Sequence, residues 1–206
     1  MRISIIITVL CLLVLSSTVF SQTHTCDFRI GEWNTDGQLT YRNFIYALNV
    51  GRLMGTVFHT RLPQLDGYKE TVVGIGYDMI TIGDIKCYPL LHYSKINGNI
   101  TCIQPGGFFL DTTGKWTGSF WAVYYLPIGN DFIKQLVIDP IEYQYNIWES
   151  LSVGLSATMV FPKVGDYEIK AGPKVALGDK HGTSELRFAK SNLGGWQLQV
   201  RRQLFF

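Results

Sequence analysis

The most constraining feature of this sequence is a period of two that recurs along its length. Leu151, Val153, Leu155, Ala157, Met159 and Phe161 are apolar, and Ser152, Gly154, Ser156, Thr158 and Val160 stand between them. Tyr167, Ile169, Ala171, Pro173, Val175 and Leu177 then alternate with Glu168, Lys170, Gly172, Lys174 and Ala176. Val73, Ile75, Tyr77 and Met79 alternate with Gly74, Gly76 and Asp78, and Phe44, Tyr46, Leu48 and Val50 with Ile45, Ala47, Asn49 and Gly51. Successive side chains of an extended strand point to opposite faces, so this alternation marks strands with one apolar face. No stretch carries the 3.6-residue stripe of an amphipathic helix.

Turn signals separate the alternating runs: Asn34-Thr35-Asp36-Gly37, Asp66-Gly67, Gly83-Asp84, Asn97-Gly98, Thr113-Gly114, Gly129-Asn130-Asp131, Gly165-Asp166, Gly178 to Gly182, and Gly194-Gly195. Strands are expected at about 26–33, 39–50, 54–62, 70–80, 84–93, 98–109, 116–127, 132–146, 150–162, 166–178, 183–190 and 195–206. That makes twelve, or ten if the first strand and the break at Gly51 fail. No linker or composition shift divides residues 22–206, which read as one all-β domain.

Residues 1–21 differ. Met1-Arg2 is a short basic start, Ile3 to Leu15 is almost unbroken apolar sequence, and Ser16 to Ser21 supplies small and apolar residues suited to cleavage. This is the layout of a secretory signal peptide. The run is shorter than the ~20 residues of a spanning helix, and none of that length follows. Cys26, Cys87 and Cys102 remain after cleavage. Export permits a disulfide, and Cys87 and Cys102 flank the Ser94–Gly98 turn as candidates to bond across a hairpin. The alternative is that all three are small packing residues.

Period two fits two opposite architectures. In a soluble sandwich or lipocalin-like carrier the apolar face points inward. In a closed antiparallel transmembrane β-barrel it meets lipid and the interior is polar. Only 17% of the 206 residues are charged and 47% are hydrophobic. The polar parity is rich in Gly, Ser and Thr, whereas a soluble surface carries a denser mix of charges. Aromatic residues crowd strand ends, with Trp116, Phe120, Trp121, Tyr124 and Tyr125 on one segment and Tyr143, Tyr145 and Trp148 on the next. Amphipathic rings favour the membrane–water boundary.

The last segment alternates Trp196, Leu198, Val200, Arg202, Leu204 and Phe206 with Gln197, Gln199, Arg201, Gln203 and Phe205. With the signal peptide and the strand series, this end resembles the bacterial outer-membrane β-barrel proteins as a class. The resemblance implies a barrel of 10–12 strands in outer-membrane lipid, with Phe206 as the signal read by the barrel-assembly machinery. A bacterial cell outer membrane location follows, secretion being the alternative. Three prolines and three charged residues depart from the pattern. Arg202 lies on the apolar parity, Pro89, Pro140 and Pro173 fall inside strands, and Lys134 and Asp139 sit on opposite parities, which points to a bulge near Asp139-Pro140. Asn99-Ile100-Thr101 fits a glycosylation sequon, a tripeptide common by chance.

Enzyme signatures are absent from the sequence: no GxSxG, HExxH, CxxC or phosphate loop. His24, His59, His92 and His181 have no metal-ligand spacing. His181, Ser184 and Glu185 are the residue types of a hydrolytic triad, and some outer-membrane barrels modify lipids, but a triad is defined by geometry rather than by nearness in sequence. The net charge of +2 leaves no footprint for nucleic acid. No cofactor is implied. Glu168, Lys170, Lys174, Glu185, Arg187, Gln199 and Arg201 are expected to line the interior, with His59, Arg61, Asp78, Lys86 and His92 joining them on earlier strands. The expected protein is a narrow passive pore with a slightly basic lumen, or a structural barrel whose interior is filled by salt bridges. A lipid-modifying barrel enzyme and a secreted soluble carrier are the alternatives.

Overall fold

The structure, a computed structural model, describes residues 22–33, 42–62, 68–77, 80–83, 85–129, 134–162 and 167–205. The expected signal peptide, Asp78 and Phe206 lie outside the described residues. Among the described residues thirteen strands form one antiparallel sheet. They are β1 (Gln22–Trp33), β2 (Arg42–Val50), β3 (Leu53–Leu62), β4 (Tyr68–Tyr77), β5 (Ile80–Ile82), β6 (Ile85–Ile96), β7 (Ile100–Asp111), β8 (Trp116–Pro127), β9 (Gln135–Trp148), β10 (Leu151–Pro162), β11 (Glu168–Asp179), β12 (Gly182–Ser191) and β13 (Trp196–Phe205). Each of the twelve expected segments corresponds to a strand. The three-residue β5 is additional.

The pairing is mostly between chain neighbours, as short hairpins dictate. Two pairings are not. β13 returns to β1, with Thr25 opposite Phe205. β4 pairs with β6 from Glu70↔Ile96 to Gly76↔Leu90, passing β5, which pairs only with the first residues of β6. Each of the twelve long strands therefore has a hydrogen-bonded neighbour on both sides.

At the end of the sheet that carries Gln22 and Phe205, several hairpins turn in two residues: Gly51-Arg52, Glu149-Ser150 and Lys180-His181. Gly51 has φ +57, which a tight hairpin requires and a side chain resists. The opposite end of the sheet carries the strand ends Trp33, Arg42, Leu62, Tyr68, Pro127, Gln135, Pro162 and Glu168.

The prolines sit where the ladders are interrupted. Pro89 pairs with Gly107 on one side, but on the other it falls between the end of the β4–β6 ladder at Leu90 and the start of the β5–β6 ladder at Cys87. Pro105 occupies the gap in the β7–β8 ladder between Ile103↔Leu126 and Gly106↔Val123. Pro173 occupies the gap in the β11–β12 ladder between Ala171↔Lys190 and Lys174↔Arg187. A proline has no N–H to give, so each was accommodated by leaving one ladder open. Gly106 and Gly172 adjoin two of them, and a Cβ at either would collide with the neighbouring strand's carbonyl, at Ala122 and Phe188 respectively.

The expected bulge is present. β9 shifts register against β10 between Ala157↔Ile141 and Met159↔Ile138, so Asp139 and Pro140 together oppose Thr158. Their peptide bond is cis. The bulge reverses the parity of β9. Asp139 then reaches Thr158 Oγ1 on the buried face (2.8 Å), although it is odd-numbered and Glu142 beyond the bulge is even.

Burial on the two faces is the reverse of a soluble fold. One face holds Glu70, His92, Ser94, Gln104, Ser156, Lys174, Arg187 and Gln199, all buried. The other exposes Leu53, Ile75, Leu91, Leu155, Val175, Leu177 and Leu186, with Ile75 at 67% and Leu155 at 65%. The first is called the inner face below.

The β4–β6 pairing is testable by cross-linking. With the native cysteines replaced by serine, Thr71→Cys/Lys95→Cys places thiols on directly opposed, exposed residues. Mild oxidation should join them and shift gel mobility. Thr71→Cys/Leu91→Cys, four residues out of register, should stay reduced. A reduced first pair would contradict this pairing.

Candidate functional site

The inner face carries two different walls. On β9, β11, β12 and β13 it is ionic. Lys174 Nζ meets Glu142 Oε2 at 3.0 Å and Glu185 Oε1 at 3.3 Å. Arg201 Nη1 meets the same two acids at 3.4 and 3.2 Å. Two cations and two anions thus alternate around a square, each satisfied twice, and the Lys174 side chain is only 2% exposed. Burying one of these charges alone would cost several kcal/mol, roughly. The strand between them, β10, contributes Ser152, Gly154 and Ser156 on the inner face. These short residues leave space for long side chains to meet across β10, and Ser156 Oγ approaches Glu142 Oε1 at 3.5 Å.

Beside the square, Arg187 donates to Thr158 Oγ1 from both terminal nitrogens (3.3 and 3.2 Å), to Gln199 Oε1 (3.4 Å) and to the Lys170 carbonyl (3.2 Å). These acceptors are neutral, and Arg187 Nε is buried with no partner among the described residues. Glu168 pairs with Lys170 at 3.4 Å and accepts from Ser191 Oγ at 3.2 Å. All seven residues expected on the interior from β11 to β13 (Glu168, Lys170, Lys174, Glu185, Arg187, Gln199 and Arg201) lie in this cluster. Sequence reasoning missed Glu142, Asp139 and Thr158. The signal was the broken alternation at Asp139-Pro140, which sets the parity of both acids.

On β3, β4, β6, β7 and β8 the inner face is a mixture of apolar and polar groups. Glu70 is 3% exposed and accepts from Tyr68 and Tyr125 hydroxyls at 3.0 Å each and from Gln104 Nε2 at 2.7 Å. Gln104 also donates to Ser94 Oγ at 2.8 Å. Ile96, Cys102, Val123 and Tyr125 pack beside them. Lower on the same wall the rings of Phe58, His92, Phe108 and Trp121 cluster. His92 stacks on Trp121 at 5.4 Å and shares a hydrogen bond with Thr56 at 3.2 Å. This cluster has no linear motif, because its members come from strands distant in sequence.

Several expectations are corrected. Cys87 and Cys102 are free thiols. Cys102 faces inward opposite Ser94, whereas Cys87 pairs with Phe109 far down the hairpin, on the outer parity. Flanking one turn did not make them equidistant from it. His59 and Arg61 are not interior: His59 bonds to Thr71 Oγ1 (3.0 Å), Arg61 Nε donates to His59 Nε2 (3.2 Å), and both alternate with the buried Thr56 and Thr60 of β3. Lys86 shares the inner parity of His92 but is exposed at the start of β6, and of the described members of that group His92 is buried. His181, Ser184 and Glu185 do not converge. His181 is exposed in a turn, Ser184 accepts from Arg202 on the outer face (2.8 Å), and Glu185 belongs to the ionic square. Adjacent strand residues point apart, which separates Ser184 from Glu185. Arg202, the misfit on the apolar parity, pairs with Asp179 at 2.8 Å near the sheet end that carries Phe205. Among the described residues no His, Cys, Asp and Glu group could hold a metal.

No protein-family model and no curated protein sequence matches the chain. Solved structures do. A KdgM porin superposes with a TM-score of 0.62 over 88% of this chain and 98% of the porin, at 12% identity. The same match is found for a KdgM porin in complex with disordered oligogalacturonate. An outer membrane channel from Pseudomonas putida F1 gives 0.56 at 9% identity, over 91% of this chain and 96% of the channel. The fold is that of outer-membrane porins and channels. At these identities the likeness concerns the fold alone, and it agrees with the class that the alternating strands and the C-terminal segment resemble. Porin folds put a polar face inward, and here that face is the one holding the ionic square.

Removing one corner of the square strands the others. Lys174→Met should lower the unfolding free energy by about 3 kcal/mol, read from denaturant midpoints of the folded protein. Adding Glu185→Gln should recover part of that loss, because it removes one of the acids left in excess. Additive losses would show that the pair is not coupled.

Proposed function

We propose that the chain is a closed transmembrane β-barrel of the bacterial outer membrane, formed by the twelve long strands, and that it acts as a narrow passive pore for small hydrophilic solutes. The carrying observation is the inverted burial. Charged and amide side chains are enclosed while large aliphatic ones are exposed, which is costly in water and favourable in lipid. The ring of pairings through β1–β13 and β4–β6 supports closure, since a sheet edge has no partner in hydrocarbon.

Outer-face aromatics support a membrane belt. Tyr77, Trp116, Tyr143 and Trp148 are exposed towards the end with short turns, and Tyr93, Tyr167 and Trp196 towards the other. Basic groups sit over rings at both ends: Arg52 over Tyr77 at 5.2 Å, Lys115 over Tyr145 at 5.8 Å, and Lys190 over Trp196 at 5.3 Å. Ten residues separate Tyr167 from Leu177. At ~3.3 Å per residue and a tilt of about 40°, that spans about 25 Å of bilayer, the height of a barrel's apolar band. Barrel-assembly machinery reading β13 and Phe206, and export by the signal peptide, complete this reading.

On the β9–β13 side four inner cations face four acids, and Arg187 is the cation whose own acceptors are neutral, with Asp139 held behind Thr158, so a preference for small anions would rest on Arg187. No catalytic step is implied, because the triad-type residues do not converge. A soluble carrier is disfavoured by the exposed aliphatic face.

Refolded protein in planar bilayers should give small, ohmic conductance steps with mild anion preference. Arg187→Gln should reduce that preference, and silence across repeated insertions would remove the pore while leaving the barrel. The barrel has its own test. Leu155→Arg, at mid-strand on the outer face, should cost about 2–4 kcal/mol in lipid vesicles. An unchanged stability would contradict a lipid-facing Leu155.

A further inference from the structure

The outer face is not uniformly smooth. Across the middle of β6, β7 and β8 lies a notch of about 290 Å³. Its walls are Cys87, Pro89, Pro105, Phe109, Tyr124 and Leu136. Gly107 and Ala122 are small residues within it, and Val123 and Gly106 form its floor. The volume equals about ten water-sized groups at ~30 Å³ each. No charged residue lines it.

The notch has a structural origin. Pro89 and Pro105 each stand at a break in a ladder, and Gly106 lets β7 approach the Ala122 carbonyl. β6 and β7 stay paired through the notch, and β7 pairs with β8 at Gly106↔Val123 and Gly107↔Ala122, so the depression comes from small side chains at Gly106, Gly107 and Ala122. Val123 belongs at once to the notch floor and to the inner apolar cluster with Ile96, Cys102 and Tyr125. An apolar depression on the outer face is thus backed by the only apolar cluster of buried residues recorded among the described residues of the inner face.

We propose that this notch is a docking site for one acyl chain of a bilayer phospholipid. The inference rests on the transmembrane reading. The notch is continuous with the lipid-facing surface between Ile103 and Tyr124, both exposed, and lies at mid-strand rather than at a rim. A polar headgroup has no charged partner there, whereas a hydrocarbon chain fills the space and covers the apolar lining. The outer face at Leu155, Val175 and Leu177 instead presents large exposed side chains.

The test uses full-length mature protein in phosphatidylcholine vesicles containing a trace of phosphatidylcholine with a diazirine in mid-chain. After photolysis, adducts are located by peptide mass spectrometry. Adducts on Pro105–Phe109 and Ala122–Tyr124 should exceed those on Leu155–Ala157 and Ala171–Pro173, paired mid-strand segments, by fivefold or more. Ala122→Trp should abolish the excess while leaving adducts at the other segments. If that variant fails to fold, judged by heat-modifiable gel mobility, Cys87→Phe fills the same notch. Even labelling in wild type, or an excess that survives filling, would overturn the site. Vesicle flotation separates this from failure of the membrane reading: protein that does not float with the vesicles refutes both, and floating protein with even labelling refutes only the notch.

Discussion

Everything in this structure depends on the backbone hydrogen-bond ladder having no free edge among its long strands. A strand end-on in a sheet exposes a row of N–H and C=O groups, and in an apolar medium each costs several kcal/mol, roughly. The β1–β13 and β4–β6 pairings remove those rows. Their consequence reaches beyond the backbone. With each long strand paired on both sides, the two faces are not equivalent, and the inner one buries polar groups that must satisfy one another. The prolines show how strictly the ladder rule acts, since Pro89, Pro105 and Pro173 each lie at a local gap and none breaks a strand.

The interior solves its constraint differently on its two sides. From β9 to β13, long charged side chains meet across short ones, and the ionic square pairs Glu142 and Glu185 with Lys174 and Arg201. A square of alternating charges is neutral as a unit, so it narrows the interior without creating a strong local field. From β3 to β8, Glu70 is stabilised by neutral donors alone among its recorded contacts, and aromatic rings occupy much of the wall.

Much of this was legible in residue order. Period two survives the formation of the sheet because side-chain direction in a strand is local, and this placed Lys174, Arg187 and Arg201 together on one face. The rest was hidden for stated reasons. Asp139-Pro140 reverses parity in mid-strand, so Glu142 was invisible as a partner of Lys174. His59 and Arg61 were assigned to the wrong face because their strand has apolar and aromatic residues on both parities. The thiols of Cys87 and Cys102 seemed close because they flank one turn, yet hairpin register depends on distance from the turn, and theirs differ. Arg202 looked costly until Asp179, 23 residues earlier, was found beside it.

The sequence by itself determined the strands, their approximate limits and the chemical character of each face, because alternation, turn residues and β-propensity act within a few residues. Tertiary structure alone decided which face is enclosed, which strands meet at β1–β13 and β4–β6, and which charges cancel. Those outcomes depend on register and curvature summed over the whole sheet, and no local segment carries that information.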